Sequence, residues 1–172
     1  FTDVTTDSRA IVPGCLFVAL KGERFDGHRF VAQALQEGAR AAVVSEVPEG
    51  VPADRCIQVD DTLEAYQKIA SCWRLKQKGL TVIAITGSNG KTSTKDCIAA
   101  VLGKKYRVIK TQANFNNEIG LPKTLLTIRE DTEMAVVEMG MRGLGQIRAM
   151  KHIAFPDAAV ITNVGDTHLE LL

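Results

Sequence analysis

Residues 80–95 have the sequence LTVIAITGSNGKTSTK, and this stretch decides the fold class. Its first seven residues form a β-branched apolar run, which is typical of a strand that is covered on both faces. Glycines follow at positions 87 and 90, and a helical pattern then runs to Gly103. A strand, a glycine loop and a helix in this order are the setting that a phosphate-binding loop requires.

The loop has the residue types that hold the phosphates of a nucleotide. Its glycines let backbone N–H groups converge on an anion, the helix start adds a partial positive charge, and Lys91 adds a full one. The longer common motif has glycine where Ile85 stands, so this is the shorter variant G-x-x-G-K-T. The alternative is a glycine turn before an ordinary helix. We predict that seven residues bind the phosphates of a nucleotide: Gly87, Ser88, Asn89, Gly90, Lys91, Thr92 and Ser93.

The rest of the second half predicts a mainly parallel sheet. Strand-like runs at 106–110, 134–139 and 158–162 alternate with helical stretches near 118–128 and 146–152. Alternating strands and helices favour parallel pairing, and the carboxyl ends of such strands face the ligand crevice. We expect polar residues that follow these strands to lie together.

Three such polar groups are candidates for chemistry. Glu138 ends an apolar strand and can hold Mg²⁺ together with Thr92, although a helix cap or a surface charge is the alternative. His168 follows the last strand and is either functional or a hydrogen-bonded loop histidine. Asn116 and Asn117 are either a polar clamp on a substrate or a capped turn before a helix.

The first half predicts a smaller α/β domain. Strand-like runs lie at 16–20, 41–45 and 56–59, and Asp26 is placed to begin a helix. A longer helix follows Asp60 and Asp61 and closes with a cationic last turn and Gly79. We therefore predict two domains, residues 1–79 and 80–172.

The composition is ordinary for a globular protein, since 45% of the 172 residues are apolar and 24% are charged. It excludes a disordered or fibrous chain. A net charge of +1 predicts no nucleic-acid partner, and no apolar run nears the roughly 18 residues that span a bilayer. We expect a monomer. Because the chain starts at Phe1 and stops at Leu172, we also expect it to be a piece of a longer protein.

The four cysteines, Cys15, Cys56, Cys72 and Cys97, contain no C-x-x-C pair, so a zinc knuckle or a redox couple is not indicated. Each stands in an apolar pattern. We predict reduced core thiols and a cytoplasmic protein.

Several motifs in one order cover nearly the whole chain. They are DSR at 7–9, PGCLFVAL at 13–20, DGH at 26–28, ITGSNGKTSTK at 85–95, NNEIGLP at 116–122, VVEMG at 136–140 and ITNVGDTHLE at 161–170. Together they resemble the Mur ligases, the ATP-dependent amide-forming enzymes of bacterial cell-wall precursor synthesis. The resemblance implies a small N-terminal α/β domain for a UDP substrate, followed by part of a mainly parallel P-loop ATPase domain.

The resemblance also implies roles for particular residues. The seven loop residues at 87–93 would bind ATP. Lys91, Glu138 and His168 would be catalytic, and Thr92, Glu138 and His168 would hold metal. The UDP site would use Ser8, Arg9 and His28, and the muramyl peptide would be held by Asn116 and Asn117. A carbamylated lysine of the family would lie beyond Leu172.

Within the family, the motifs are most like the branch that adds D-alanyl-D-alanine to UDP-N-acetylmuramoyl-tripeptide, with ATP and Mg²⁺, through an acyl phosphate. One alternative is the branch that adds a diamino acid as the third peptide residue. Another is a truncated or degenerate homologue that binds the UDP substrate and catalyses nothing. A phosphate-loop kinase is disfavoured by the motifs of the first half. We expect the 172-residue piece to be inactive by itself.

Overall fold

The structure is a computed structural model that describes residues 1–22 and 25–165. Within these residues the chain forms two four-stranded parallel sheets and five α-helices. The chain divides into two compact units, Phe1–Tyr66 and Gln67–Leu172. Among the described helices, none is long and apolar enough to cross a bilayer.

The first unit is built on a parallel sheet in the order β1-β2-β3-β4. Its strands are β1 (Val4–Thr5), β2 (Leu16–Val18), β3 (Ala41–Val44) and β4 (Cys56–Gln58). A 3₁₀ turn at Gly27–Phe30 leads into α1 (Val31–Gln36), whose buried Val31, Ala34 and Leu35 pack on the sheet. The sequence did not predict β1, because two half-buried residues are too short to form a recognisable apolar run.

Helix α2 (Thr62–Lys76) begins at the cap that the sequence predicted. The carboxylate of Asp61 accepts hydrogen bonds from the amides of Leu63 and Glu64, at 2.7 and 3.0 Å. The compact units divide inside this helix, since its later residue Ala70 belongs to the core of the second unit. The domain boundary after residue 79 stays a prediction.

The second unit holds the predicted parallel sheet, in the order β6-β7-β5-β8. Its strands are β5 (Thr81–Thr86), β6 (Val108–Lys110), β7 (Met134–Glu138) and β8 (Ala158–Ile161), and its helices are α3 (Lys91–Leu102), α4 (Gly120–Leu126) and α5 (Gln146–Ala154). Strand β5 lies between β7 and β8, so the loop that follows β5 is flanked by the ends of both neighbours.

The expectation of four core thiols is wrong for two of them. All four cysteines are free, and Cys15 is buried, but Cys72 and Cys97 are exposed. In α3 the buried side chains are Lys95 and Ala99, so the side of the helix with Cys97 and Val101 faces solvent. The apolar residues of α3 are therefore spread over a wider part of the helix surface than the part that is buried.

Arg74 lies in the cationic last turn of α2 that the sequence predicted, and its side chain is buried. Its guanidinium donates to the carbonyl oxygens of Ala154 and Phe155, each at 3.0 Å, and to the carboxylate of Asp157 at 2.9 Å. Asp157 also accepts a bond from the amide of Val82. Arg74 thus fixes the chain reversal between α5 and β8.

Replacing Arg74 with methionine should lower the free energy of unfolding of the complete protein by about 2 kcal/mol, because two carbonyl groups and one carboxylate lose a buried donor. Urea unfolding measures the loss. Lys76→Met, at an exposed site on the same helix, is the control and should change stability by less than about 0.5 kcal/mol. Equal losses in the two variants would contradict this account of Arg74.

Candidate active site

The phosphate loop connects β5 to α3 and leaves the start of that helix without a side-chain cap. Gly90 is the residue before the helix, in the left-handed conformation with φ of 78°. The amide of Thr94 makes the first helical hydrogen bond, to Gly90 O at 3.0 Å, so the amides of residues 91–93 have no partner within the helix. These amides and the helix dipole form a site for an anion.

Lys91 lies over the loop that precedes it. Its ammonium donates to the carbonyl oxygens of Gly87 and Ser88, at 2.6 and 3.0 Å. An ammonium group has three N–H donors, so one of them is left for a ligand. The side chain is thus held where a phosphate on the start of the helix would need a positive charge.

Glu138 is a buried carboxylate whose two oxygens are both oriented by neighbours. It ends β7 directly beside Ile85 of β5 and is 3% exposed. One oxygen accepts from the Thr92 hydroxyl at 3.0 Å, and the other accepts from the Asn116 amide at 2.9 Å. The backbone amide of Glu138 donates to the hydroxyl of Thr111. The sequence placed Glu138 at this edge of the sheet and missed Thr111.

Thr92 and Glu138 fit a magnesium ion. The hydroxyl of Thr92 donates its proton to Glu138 and therefore keeps its oxygen lone pairs for a cation. Hydroxyl and carboxylate oxygens are ligands that Mg²⁺ accepts, commonly with phosphate and water completing the shell. In the described part of the chain, no group of three or more His, Cys, Asp or Glu side chains is placed to hold a metal ion. A cation at Thr92 and Glu138 would therefore need phosphate and water as its further ligands.

The two asparagines have different environments. The side-chain amide of Asn116 donates to Glu138, and the backbone carbonyl oxygen of Asn116 accepts a hydrogen bond from the amide of Gly140 at 2.8 Å. The Asn117 side chain accepts from the amides of Ile119 and Gly120 at the start of α4. The capped turn is therefore present at Asn117, whereas Asn116 orients the carboxylate.

A cavity of about 320 Å³ adjoins these groups. Lys91, Asn116 and Asn117 line it together with Arg142, which follows β7. The clamp on a peptide substrate stays a prediction, and the cavity gives it a place beside the phosphate loop.

The residues predicted for a UDP site lie in the first unit. Ser8 is half-buried in the turn after β1. The exposed guanidinium of Arg9 makes two parallel hydrogen bonds to Asp7, at 2.9 and 2.8 Å, which raise the pKa of Arg9. Asp7 thus orients Arg9, a role that the sequence did not assign.

His28 is buried and uses both ring nitrogens within the protein. Its Nδ1 lies 2.7 Å from the carboxylate of Asp26, and its Nε2 accepts from the amide of Ser45 at 2.9 Å. Nδ1 therefore carries the proton that points at Asp26. The backbone amide of His28 and then its ring lower the pKa of Asp26. His28 joins the end of β3 to the 3₁₀ turn, and its role in substrate binding stays a prediction.

Two family models match the chain over overlapping ranges. The model described as the Mur ligase family catalytic domain matches residues 1–113, and the Mur ligase middle domain matches residues 85–172. The chain belongs to the Mur ligase family.

This Mur ligase chain is similar to relatives that carry one activity in their names. It is 52% identical to UDP-N-acetylmuramoyl-tripeptide–D-alanyl-D-alanine ligase of Bacillus subtilis, over 97% of this chain and 36% of the relative. It superposes on MurF of Acinetobacter baumannii with a TM-score of 0.90 and 39% identity, covering 97% of this chain and 36% of that one. It also superposes on MurF of Thermotoga maritima in complex with ADP, with a TM-score of 0.87 and 38% identity, covering 97% of this chain and 38% of that one.

The chain thus spans little more than a third of the length of these Mur ligases. Within it, the phosphate loop, Glu138 and Asn116 form one cluster in the second unit. The first unit holds Ser8, Arg9 and His28. His168, which the family motif singles out, lies outside the described residues.

Proposed function

We propose that the protein containing this chain is an ATP-dependent ligase that joins D-alanyl-D-alanine to UDP-N-acetylmuramoyl-tripeptide. The observation that carries the proposal is the placement of Lys91, Thr92 and Glu138 around the uncapped start of α3. The names of the relatives and the ADP complex of one of them support the choice of substrates and nucleotide.

The reaction must first make a carboxylate reactive. A carboxylate oxygen of the tripeptide attacks the γ-phosphorus of ATP, ADP leaves, and an acyl phosphate forms. The amine of the dipeptide then attacks the acyl carbon, loses a proton and displaces inorganic phosphate. The oxygen that attacked phosphorus therefore leaves with the phosphate.

The first step brings a carboxylate against a polyanion. One pair of like charges 4 Å apart costs about 4 kcal/mol at an effective dielectric constant near 20, and several oxygens are involved. Lys91 and the amides at the start of α3 would oppose this repulsion. One Mg²⁺, held by Thr92 and Glu138, and a second metal, held by His168 as the family pattern implies, would add positive charge on the phosphates.

The other residues of the chain bind and orient. Asn116 holds Glu138 in place, and with Asn117 it lines the cavity in which the peptide carboxylate would lie. In the first unit, Ser8, Arg9 and His28 would serve the UDP end of the substrate. We place the UDP-substrate domain at residues 1–79 and the ATP domain at residues 80–172. We further propose a cytoplasmic monomer, and the four free cysteines support a reducing compartment.

Phosphate release from MgATP tests the function. The complete protein is incubated with UDP-N-acetylmuramoyl-tripeptide, with and without D-alanyl-D-alanine, and the 172-residue chain is assayed in parallel. We expect release that depends on the dipeptide in the complete protein and none in the short chain. Release with a diamino acid and a UDP-muramyl dipeptide, and none with D-alanyl-D-alanine, would show a third-residue ligase instead. No release with either would show a binding-only homologue.

Ser8→Ala in the complete protein should weaken binding of the UDP substrate about five- to tenfold, the effect of one lost hydrogen bond. Titration calorimetry measures it. The affinity of the same variant for MgADP is the internal control and should not change. An unchanged affinity for the UDP substrate would refute the role of Ser8.

A further inference from the structure

The two residues that directly follow strand β8 hold the tip of the phosphate loop through hydrogen bonds that the motif does not explain. The hydroxyl of Thr162 donates to the carbonyl oxygen of Asn89 at 2.6 Å. The side-chain oxygen of Asn163 accepts from the amide of Asn89 at 2.9 Å, and its backbone oxygen accepts from the amide of Ser88 at 3.1 Å. The loop is therefore fixed from a strand more than 70 residues further along the chain.

Gly87 is glycine because of this contact. Its φ is 133°, and a Cβ atom on it would overlap the hydroxyl of Thr162 and lie 2.9 Å from Asn163 O. The space that a side chain would need is thus taken by the end of β8. The first glycine of the motif serves the approach of this strand.

The two hydrogen bonds that Asn163 accepts determine the directions in which two carbonyl groups of the loop point. A trans peptide unit is planar, with its N–H and C=O on opposite sides. Asn163 holds the amide of Ser88, so the carbonyl of Gly87 in the same peptide unit must point away from Asn163. Asn163 also holds the amide of Asn89, so the carbonyl of Ser88 must point away from Asn163 as well. These two carbonyls are the acceptors of the Lys91 ammonium.

Thr162 determines the next peptide unit in the same way. Its hydroxyl holds the carbonyl of Asn89, so the amide of Gly90 points in the opposite direction. That amide directly precedes the free amides at the start of α3. Three consecutive peptide units, from Gly87 to Gly90, are therefore oriented by the two residues that directly follow β8.

We propose that Thr162 and Asn163 are positioning residues of the phosphate loop, with Asn163 placing Lys91 through the carbonyls of Gly87 and Ser88, and Thr162 placing the amide of Gly90. This inference rests on the proposed binding of a nucleotide. It assigns a physical role to the TN of the motif at 161–170, which the sequence marked only by resemblance.

The test uses the complete protein and measures the dissociation constant for MgADP. Thr162→Val removes the hydroxyl at constant size, and Thr162→Ser keeps it. We expect the valine variant to bind MgADP about tenfold more weakly and the serine variant to stay within about twofold of wild type. Affinity for the UDP substrate should be the same in all three proteins. Equal MgADP affinities for the valine and serine variants would overturn the role of Thr162.

Asn163 is tested by a double-mutant cycle with Lys91. Asn163→Ala removes the side-chain oxygen that holds the amide of Asn89 and keeps the backbone oxygen that holds the amide of Ser88, so it tests the placement of the Ser88 carbonyl. It should weaken MgADP binding about tenfold in the wild-type background and by less than about twofold in Lys91→Ala, since the side chain of Asn163 acts through Lys91. Equal losses in both backgrounds would overturn its positioning role. If the wild-type protein does not bind MgADP at all, the proposed function fails. If it binds and the variants bind equally well, only this inference fails.

Discussion

Lys91→Ala is expected to reduce dipeptide-dependent phosphate release by at least about 100-fold. The ammonium is the charged group that lies on the loop, held by the carbonyls of Gly87 and Ser88, and an alanine leaves the phosphates without it. The fold should persist, because the side chain is only half-buried and its partners are loop carbonyls. Initial rates with saturating MgATP and both other substrates measure the loss.

Lys104→Ala is the matched control, since Lys104 is an exposed lysine beyond the end of α3. It should retain the wild-type rate. A Lys91→Ala variant that kept more than about a tenth of the wild-type turnover would show that the phosphate loop is wrongly assigned.

Glu138→Gln is expected to lower turnover by about 100-fold or more while leaving the protein folded. The substitution keeps the size of a buried side chain that Thr92 and Asn116 both contact. It removes the negative charge that would hold a divalent cation, and it turns one acceptor into a donor that faces another donor. The concentration of Mg²⁺ that gives half-maximal rate should rise as well.

The control is Glu130→Gln, at an exposed carboxylate in the turn before β7. It should change neither the rate nor the Mg²⁺ dependence. A Glu138→Gln variant with the Mg²⁺ dependence of wild type would remove Glu138 from the metal site, whatever its turnover.

The parts of the site that the sequence predicted are those that depend on local pattern. The strand, glycine loop and helix at 80–103 are contiguous, so their residue types are sufficient to identify them. Glu138 was predicted because any strand of a parallel sheet ends at the same edge, whatever the strand order. Its neighbour in the structure is indeed β5.

The parts that the sequence missed depend on which strands are neighbours. Thr162 and Asn163 reach the loop because β8 pairs with β5, and the strand order cannot be read from periodicity. The sequence identifies Arg74 as a cation at the end of a helix, but it cannot identify the carbonyl groups that bind it, because these lie about 80 residues away along the chain. Asn117 was left between a cap and a clamp, because residue type alone allows both.

The transfer of oxygen from substrate to phosphate tests the central claim most directly. The tripeptide carboxylate is labelled with ¹⁸O, the complete protein converts it with MgATP and D-alanyl-D-alanine, and the released phosphate is analysed by mass spectrometry. If the carboxylate attacks the γ-phosphorus and the amine then displaces phosphate, each phosphate carries one ¹⁸O atom from a fully labelled carboxylate. Phosphate without ¹⁸O would mean that water attacks ATP, and it would contradict the ligase mechanism proposed for this site.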